Sequence, residues 1–382
     1  MIQRAAPRLR PARIAHVVLG LNVGGLERMV LRLLEHTRRD LFSPIVCALE
    51  EPGELAPELV LLDVPLLVVP RRRGLDPHLA IRLAAWLREH GVALVHTHNP
   101  GPHLYGALAA ALARAGGRFP PRVIHTKHGR NFPRAPRKVL ANRLASALTD
   151  RVVAVSADAR RVAIEIEGVD PARVITILNG VDTGEFRPGG DPRAARARLG
   201  APAGGFHVGC VARLSPEKDH ATLLAAFAEL RARRPGAHLT LVGDGPLRSD
   251  LERAAARLRL DGAVTFAGTR ADIASLLPAF DVFALASRTE GISLTLIEAA
   301  AAEIPIVATR VGGNAEILGE DEAGLLVPPG EPGALAAALE AVAARPDRAE
   351  LVRRGRARVI ERFDVGRMAR AYGELYEEVL DL

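Results

Sequence analysis

Short runs rich in valine, isoleucine and leucine alternate with alanine- and leucine-rich stretches of helical length along nearly the whole chain. The apolar runs fall at residues 14–20, 43–49, 64–69, 92–98, 122–128, 150–156 and 174–178, and again at 206–212, 238–243, 263–268, 281–287, 304–310 and 324–328. Helical patterns lie between them, for example at 26–37, 78–90, 105–115, 139–148, 157–167, 221–233, 246–258, 273–279 and 293–302. Strands apolar on both faces belong in parallel sheets covered by helices on both sides. The two series are separated by residues 179–202, where Gly180, Gly184, Pro188, Gly189, Gly190 and Pro192 mark a linker. A chain of 382 residues also exceeds one compact core. The expectation is an α/β protein of two doubly wound, Rossmann-like domains facing a central cleft. They are expected over 1–188 and 189–363, followed by a C-terminal helical segment over 364–382.

Charge separates the halves. Residues 1–188 carry 27 Lys+Arg against 17 Asp+Glu, whereas the remainder carries 24 against 27. Positions 90–149 hold nine basic residues and no acidic one. That asymmetry suits either a solvated basic surface or an anionic partner such as a phosphorylated substrate or lipid headgroups. Nucleic acid is disfavoured, because aromatics are only 4% and no recognition module is present. Cys47 and Cys210 are too far apart in sequence for a metal pattern and read as buried thiols in a reducing compartment. No apolar stretch reaches the roughly 18 residues of a spanning helix, and the basic start reads as a lead into a strand rather than a signal peptide.

In open parallel sheets, ligands sit beyond the carboxyl ends of the strands, at helix N-termini. Four strand-to-helix turns are chemically loaded. Gly24-Gly25 follows the first strand and serves either a tight turn or a close-approaching anion. Arg213 and Lys218, five residues apart after the first strand of the second series, can both reach one diphosphate. Gly243-Asp244-Gly245-Pro246 makes a short turn that could shape a nucleotide pocket. The fourth is Glu290-Gly291-Ile292-Ser293, followed by a helix that carries Glu298 among apolar residues. A carboxylate there can accept hydrogen bonds from a ribose diol, and left unpaired it would be costly.

The spacing Glu290-x7-Glu298, followed by an alanine-rich helix, the run IPIVAT and a Gly-Gly turn, resembles the retaining GT-B glycosyltransferases, in particular glycosyltransferase family 4. The resemblance also covers GGLE (24–27), HG (128–129), NGVD (179–182), ARLSPEKD (212–219) and VGDGP (242–246). It implies that Arg213 and Lys218 bind the donor diphosphate, Glu298 the nucleotide ribose, and Glu290 the vicinity of the donor sugar. The backbone of Gly291, Ile292 and Ser293, with Gly243, Gly24 and Gly25, would complete the donor site. His128 would face the sugar, and the last helix would cross back onto the first domain. Departures from the family pattern are Asp219 and Glu303, both where glycine is usual, and Asn314-Ala315 in place of a residue-proline pair.

On alternating strands His96 and His98 share one face, and His128 ends the next strand. His96 and His125 read as core histidines satisfied by backbone. His98, Asn99, Lys127 and Arg130 are assigned to the acceptor side. No zinc site is expected from these histidines, since no carboxylate or cysteine lies near them in sequence. The chain contains no Asp-x-Asp triad, so no metal or other cofactor is expected. The resulting function is metal-independent transfer of a sugar, with retention, from a nucleotide-diphosphate donor to a lipid-linked or polysaccharide hydroxyl. The expected location is the cytoplasm, with peripheral association at the inner face of the membrane through the basic N-terminal domain. A nucleotide-sugar 2-epimerase and a catalytically silent sugar-nucleotide binder are the alternatives.

Overall fold

The computed structural model describes residues 11–72, 74, 76–115, 120–129 and 136–382. The chain forms two compact units. The first comprises residues up to Val155, Ala159–Ile177 and Met368–Leu382; the second comprises Ser156–Asp158 and Leu178–Arg367.

The first unit is built on seven parallel strands: β1 (Ala12–Val18), β2 (Phe42–Ala48), β3 (Leu66–Val68), β4 (Val92–His98), β5 (Arg122–Lys127), β6 (Arg151–Ala154) and β7 (Val174–Thr176). Their order is β3-β2-β1-β4-β5-β6-β7, so the winding reverses between β1 and β4. Val17, Cys47 and Val95 of the sheet pack into one core with Leu79, Leu83, Ala107 and Ala110 of the covering helices. Cys47 is buried, and burial pushes its thiol up to about 12.

The second unit has six parallel strands: β8 (His207–Val211), β9 (His238–Val242), β10 (Val264–Gly268), β11 (Val282–Leu285), β12 (Ile306–Thr309) and β13 (Leu325–Val327). Their order is β10-β9-β8-β11-β12-β13, with the reversal between β8 and β11. The four inner strands β8, β9, β11 and β12 are wholly buried, as their unbroken apolar runs require, whereas the edge strands β10 and β13 are partly exposed. Both sheets are doubly wound, and each strand falls within one to two residues of an apolar run in the sequence.

The sequence boundary at residue 188 differs from the observed one at Leu178. The reason is local pairing: Val181 N donates to Phe363 O at 2.9 Å, Val365 N to Val181 O at 3.0 Å, and Thr183 Oγ1 to Asp364 Oδ2 at 3.0 Å. Gly180 lies so close to Asp364 and Val365 that a Cβ there would meet their backbone at 2.7 Å. The Gly/Pro-rich segment thus begins inside the second unit instead of leading to it. The terminal helices Arg348–Arg362 and Val365–Leu380 are divided at this bridge. Tyr372 and Tyr376 of the last helix are fully buried in the first unit.

Candidate active site

Because β8 and β11 are neighbours at the reversal point of the second sheet, the loops leaving their carboxyl ends emerge side by side. The loop after β8 runs through Arg213 into the short turn Pro216–Lys218, and Asp219 then opens the helix His220–Arg233. The loop after β11 carries Ser287, Arg288, Glu290 and Gly291 before Ser293 caps the helix Leu294–Ala301. Lys218 Nζ donates to Glu290 Oε1 at 2.6 Å, and Ser287 Oγ donates to the same oxygen at 2.6 Å. Glu290 is nearly buried and Lys218 partly so. A charge-assisted bond of this length in such surroundings is stronger than a surface pair.

A second link joins the same loops. Arg288 Nε donates to Asp219 Oδ2 at 2.8 Å, Thr222 Oγ1 donates to that carboxylate at 2.8 Å, and Arg288 N donates to Glu217 O at 2.8 Å. These bonds from Arg288 and Thr222 hold the Asp219 carboxyl below the usual carboxylate range against its burial, the largest influence on it. Asp219 has φ 46°, left-handed backbone that favours glycine. Glu303, the other residue standing at a usual family glycine, has φ 57°. The two departures therefore keep the backbone of the pattern while changing the side chain.

Arg213 is exposed, and its guanidinium makes no hydrogen bond or ion pair among the described residues. Glu298 is half-buried on the second turn of the helix Leu294–Ala301. Ile292 is buried, and Ser293 Oγ accepts from Leu296 N at 3.4 Å. Gly291 O accepts from Gly313 N at 2.8 Å, and Gly312 (φ 51°) passes so near Glu290 O that a Cβ would stand 2.0 Å from it. Gly243 (φ 131°) is as tightly placed, its Cβ position 2.1 Å from Ala212 O. The glycines at both loops are thus required by backbone crossing backbone.

In the first unit, Gly24 caps the helix Gly25–Glu35 in extended conformation, with the end of the Glu27 side chain close beside it. Asn99 precedes the helix Pro100–Arg114 at φ 74°, an unusual conformation for a non-glycine residue. Lys127 departs from its acceptor-side assignment: its side chain is buried, and Nζ donates to Glu167 Oε1 at 2.6 Å, which also accepts from Asn142 Nδ2 at 2.9 Å. Glu167 reaches it from the end of a π-turn, Val162–Ile166. Arg130 lies outside the described residues.

The histidines form two groups. On one face of the sheet, His16 Nδ1 lies 3.3 Å from His98 Nε2, and His98 Nδ1 lies 3.3 Å from His128 Nε2. His96 completes this group, but both its nitrogens are engaged: Nδ1 with Tyr376 Oη and Nε2 with Thr126 Oγ1, each at 2.7 Å. On the other face His103 and His125 stack at 3.6 Å between ring centres, and His125 Nδ1 lies 3.0 Å from Thr97 Oγ1. Hydroxyls, more than the backbone expected from sequence, satisfy these core imidazoles. Burial depresses the imidazoles, His16, His103 and His128 to about 3 and His96, His98 and His125 well below their usual value. They are neutral at physiological pH.

Ligand atoms of His16, His96 and His98 lie within 4.8 Å of one another. Sequence reasoning missed this cluster because His16 is 80 residues from His96, and only the β1–β4 register pairs them. Tyr372 and Tyr376 were missed for the same reason. His96 could act as a ligand only by giving up a hydroxyl partner. The imidazole chain from His16 to His128 can be satisfied by neutral tautomers in either direction, with His16 Nε2 at one end and His128 Nδ1 at the other without a partner.

Comparison with known proteins agrees with this architecture. The family description "Glycosyltransferase Family 4" matches residues 23–185, and "Glycosyl transferases group 1" matches residues 205–345. A D-inositol 3-phosphate glycosyltransferase of Mycobacterium tuberculosis is 34% identical over 354 residues, covering 84% of this chain and 71% of the relative. The UDP-Gal:alpha-D-GlcNAc-diphosphoundecaprenol alpha-1,3-galactosyltransferase of Escherichia coli is 28% identical, covering 82% and 84% of the two chains. Among solved structures, Anabaena HepE in complex with UDP-glucose superposes with a TM-score of 0.84 at 25% identity, covering 96% of this chain and 99% of HepE. Two doubly wound parallel sheets, the loaded loops at the β8–β11 reversal and these relatives together identify the chain as a GT-B glycosyltransferase of family 4, within the group 1 glycosyltransferases.

Proposed function

We propose that this glycosyltransferase moves a sugar, with retention and without a metal ion, from a nucleotide-diphosphate donor to a hydroxyl of a lipid-linked or polysaccharide acceptor. The observation that carries the reading is the Lys218–Glu290 ion pair at the sheet reversal, with the unengaged Arg213 on the same loop. A guanidinium and an ammonium there suit a diphosphate on which negative charge grows as the bond to the anomeric carbon breaks. They supply locally the positive charge that a divalent ion would otherwise bring.

In this mechanism the leaving phosphate oxygen takes the electron pair of the broken C–O bond. The acceptor oxygen bonds to the same face of the oxocarbenium-like carbon, and its proton passes to the departing oxygen. Glu290 holds the Lys218 ammonium and stands beside the donor sugar, while Glu298 receives the ribose hydroxyls. Gly291, Ile292 and Ser293 offer backbone at the helix start, Gly243 shapes the nucleotide side, and Gly24-Gly25 the phosphate or acceptor side. His128, reached through His98, faces the sugar as a neutral imidazole, and Asn99 lies on the acceptor side.

Donor identity is supported by relatives: the Escherichia coli enzyme is named for UDP-Gal and a diphosphoundecaprenol-linked acceptor, and HepE was crystallised with UDP-glucose. Such chemistry supports the reading of a cytoplasmic enzyme that makes surface polysaccharide or lipopolysaccharide. Mass spectrometry of donor with and without candidate acceptors, in EDTA, is the test. A glycosylated acceptor carrying the donor's anomeric configuration is expected. Donor conversion without acceptor would indicate an epimerase; binding without any product would indicate a silent binder.

A further inference from the structure

A neutral imidazole carries one N–H and one bare nitrogen, so it donates once and accepts once. When both nitrogens of a buried imidazole face other imidazoles, its two bonds are no longer independent: donating to one neighbour obliges it to accept from the other. His98 stands in this position. It is wholly buried, and burial keeps it uncharged. Its Nε2 lies 3.3 Å from His16 Nδ1, and its Nδ1 lies 3.3 Å from His128 Nε2. The ring centres are 5.6 Å apart on the His16 side and 5.5 Å apart on the His128 side. Each centre separation exceeds the nitrogen separation by two ring radii, so the facing nitrogens lie on the line that joins the rings. The planes of His16 and His98 are also only 8° apart. Both contacts therefore have the geometry of in-line N–H···N bonds, at the long end of their range. His96 is not part of this chain: its ring packs against the side of His98 at 41°, and its nitrogens are bonded to Tyr376 and Thr126.

The chain has two senses. In one, protons point from His16 towards His128, leaving His16 Nε2 bare and an N–H at His128 Nδ1. In the other they point back, leaving the N–H at His16 Nε2. Neither terminal nitrogen has a partner among the described residues. A buried N–H without an acceptor is the rarer orphan of the two kinds. His16 has no exposed surface, whereas the His128 ring is only half-buried, just beyond the carboxyl end of β5. His128 is therefore the end at which a ligand can supply an oxygen, and the unpaired N–H belongs there.

We infer that His98 is a positioning residue: it donates through Nδ1 to His128 Nε2, with His16 donating to it in turn, and so holds His128 as the Nδ1–H tautomer that offers its proton to an oxygen of the nucleotide-bound sugar. The inference deepens the sugar-facing role proposed for His128, on which it rests for its purpose. Being wholly buried, His98 has no surface to offer an acceptor and acts only through His128.

The test is nitrogen-15 magnetic resonance of the full chain labelled at histidine, without substrates and near neutral pH, where long-range proton–nitrogen spectra separate protonated from bare ring nitrogens. The His128 signals, identified by their loss in His128→Gln, should show a protonated Nδ1 and a bare Nε2. In His98→Phe, which keeps an aromatic ring but removes both bonds, that pattern should be lost and kcat/KM should fall about tenfold or more. His98→Gln, whose amide can accept from His16 and donate to His128, should recover much of both. A wild-type His128 protonated at Nε2, or a His98→Phe variant with the His128 pattern unchanged, would overturn the inference. So would wild-type kcat/KM in His98→Phe once its His128 pattern is altered. The wild-type spectrum decides the sense of the chain even where His98→Phe fails to fold. Because it requires no turnover, an enzyme with the expected tautomer and no transfer to any acceptor would count against the proposed function, not against the imidazole chain.

Discussion

At the scale of single residues, what matters is which side chains are held and which are left available. Lys218 is held by Glu290, so truncating Glu290 leaves an ammonium without its partner. Glu290→Ala should lower kcat/KM by about a hundredfold or more, the scale of a lost preorganised group, and steady-state kinetics with the native donor checks it. The two left-handed residues behave differently from each other. Asp219 recovers its backbone cost through Arg288 and Thr222, whereas the Glu303 carboxylate makes no hydrogen bond or ion pair among the described residues to offset its own. Glu303→Gly should therefore raise stability by roughly 0.5–1 kcal/mol in urea melts, while Asp219→Gly should gain nothing. Equal gains at both sites would remove the role given to the Asp219–Arg288 link. Sequence alone marked both positions as unusual, but only the dihedral angles show that the glycine conformation is retained.

At the scale of elements, the buried Lys127–Glu167 pair ties β5 to the end of the π-turn. Glu167→Gln leaves the lysine charge in low dielectric and should cost about 3–5 kcal/mol; Lys127→Met/Glu167→Leu should cost far less. Denaturant melts of the two variants decide it, and similar losses would contradict the assignment. Lys127 looked acceptor-facing in sequence because it adjoins His128 in a basic stretch. Its burial was not legible there, since Glu167 is 40 residues away and reaches it through a π-turn that no periodicity announces. The thirteen strands were legible because two-sided burial writes itself as unbroken apolar runs. Their neighbours in the sheet were not, which is why His16 and the two tyrosines went unseen as partners of His96.

At the scale of the whole molecule, the six imidazoles of His16 on β1, His96 and His98 on β4, His125 and His128 on and just after β5, and His103 on the helix after β4 set the acid limit. Their folded values lie far below 6.5, so between about pH 6.5 and 3 the unfolded chain binds protons that the folded one does not. Stability is therefore full above pH 6.5 and falls as pH drops, by on the order of 1.4 kcal/mol per pH unit for each histidine protonated on unfolding. Thermal melts from pH 7.5 to 5 should show a steadily falling Tm; a flat Tm would mean that these imidazoles are protonated in the folded protein.

The central claim is that Arg213 and Lys218 neutralise the departing diphosphate, and its most direct measurement is kcat/KM of Arg213→Ala with a saturable nucleotide-sugar donor. The Arg213 guanidinium makes no hydrogen bond or ion pair among the described residues, so its loss should leave the thermal midpoint unchanged while kcat/KM falls about a hundredfold or more. Wild-type turnover by that variant would contradict the account.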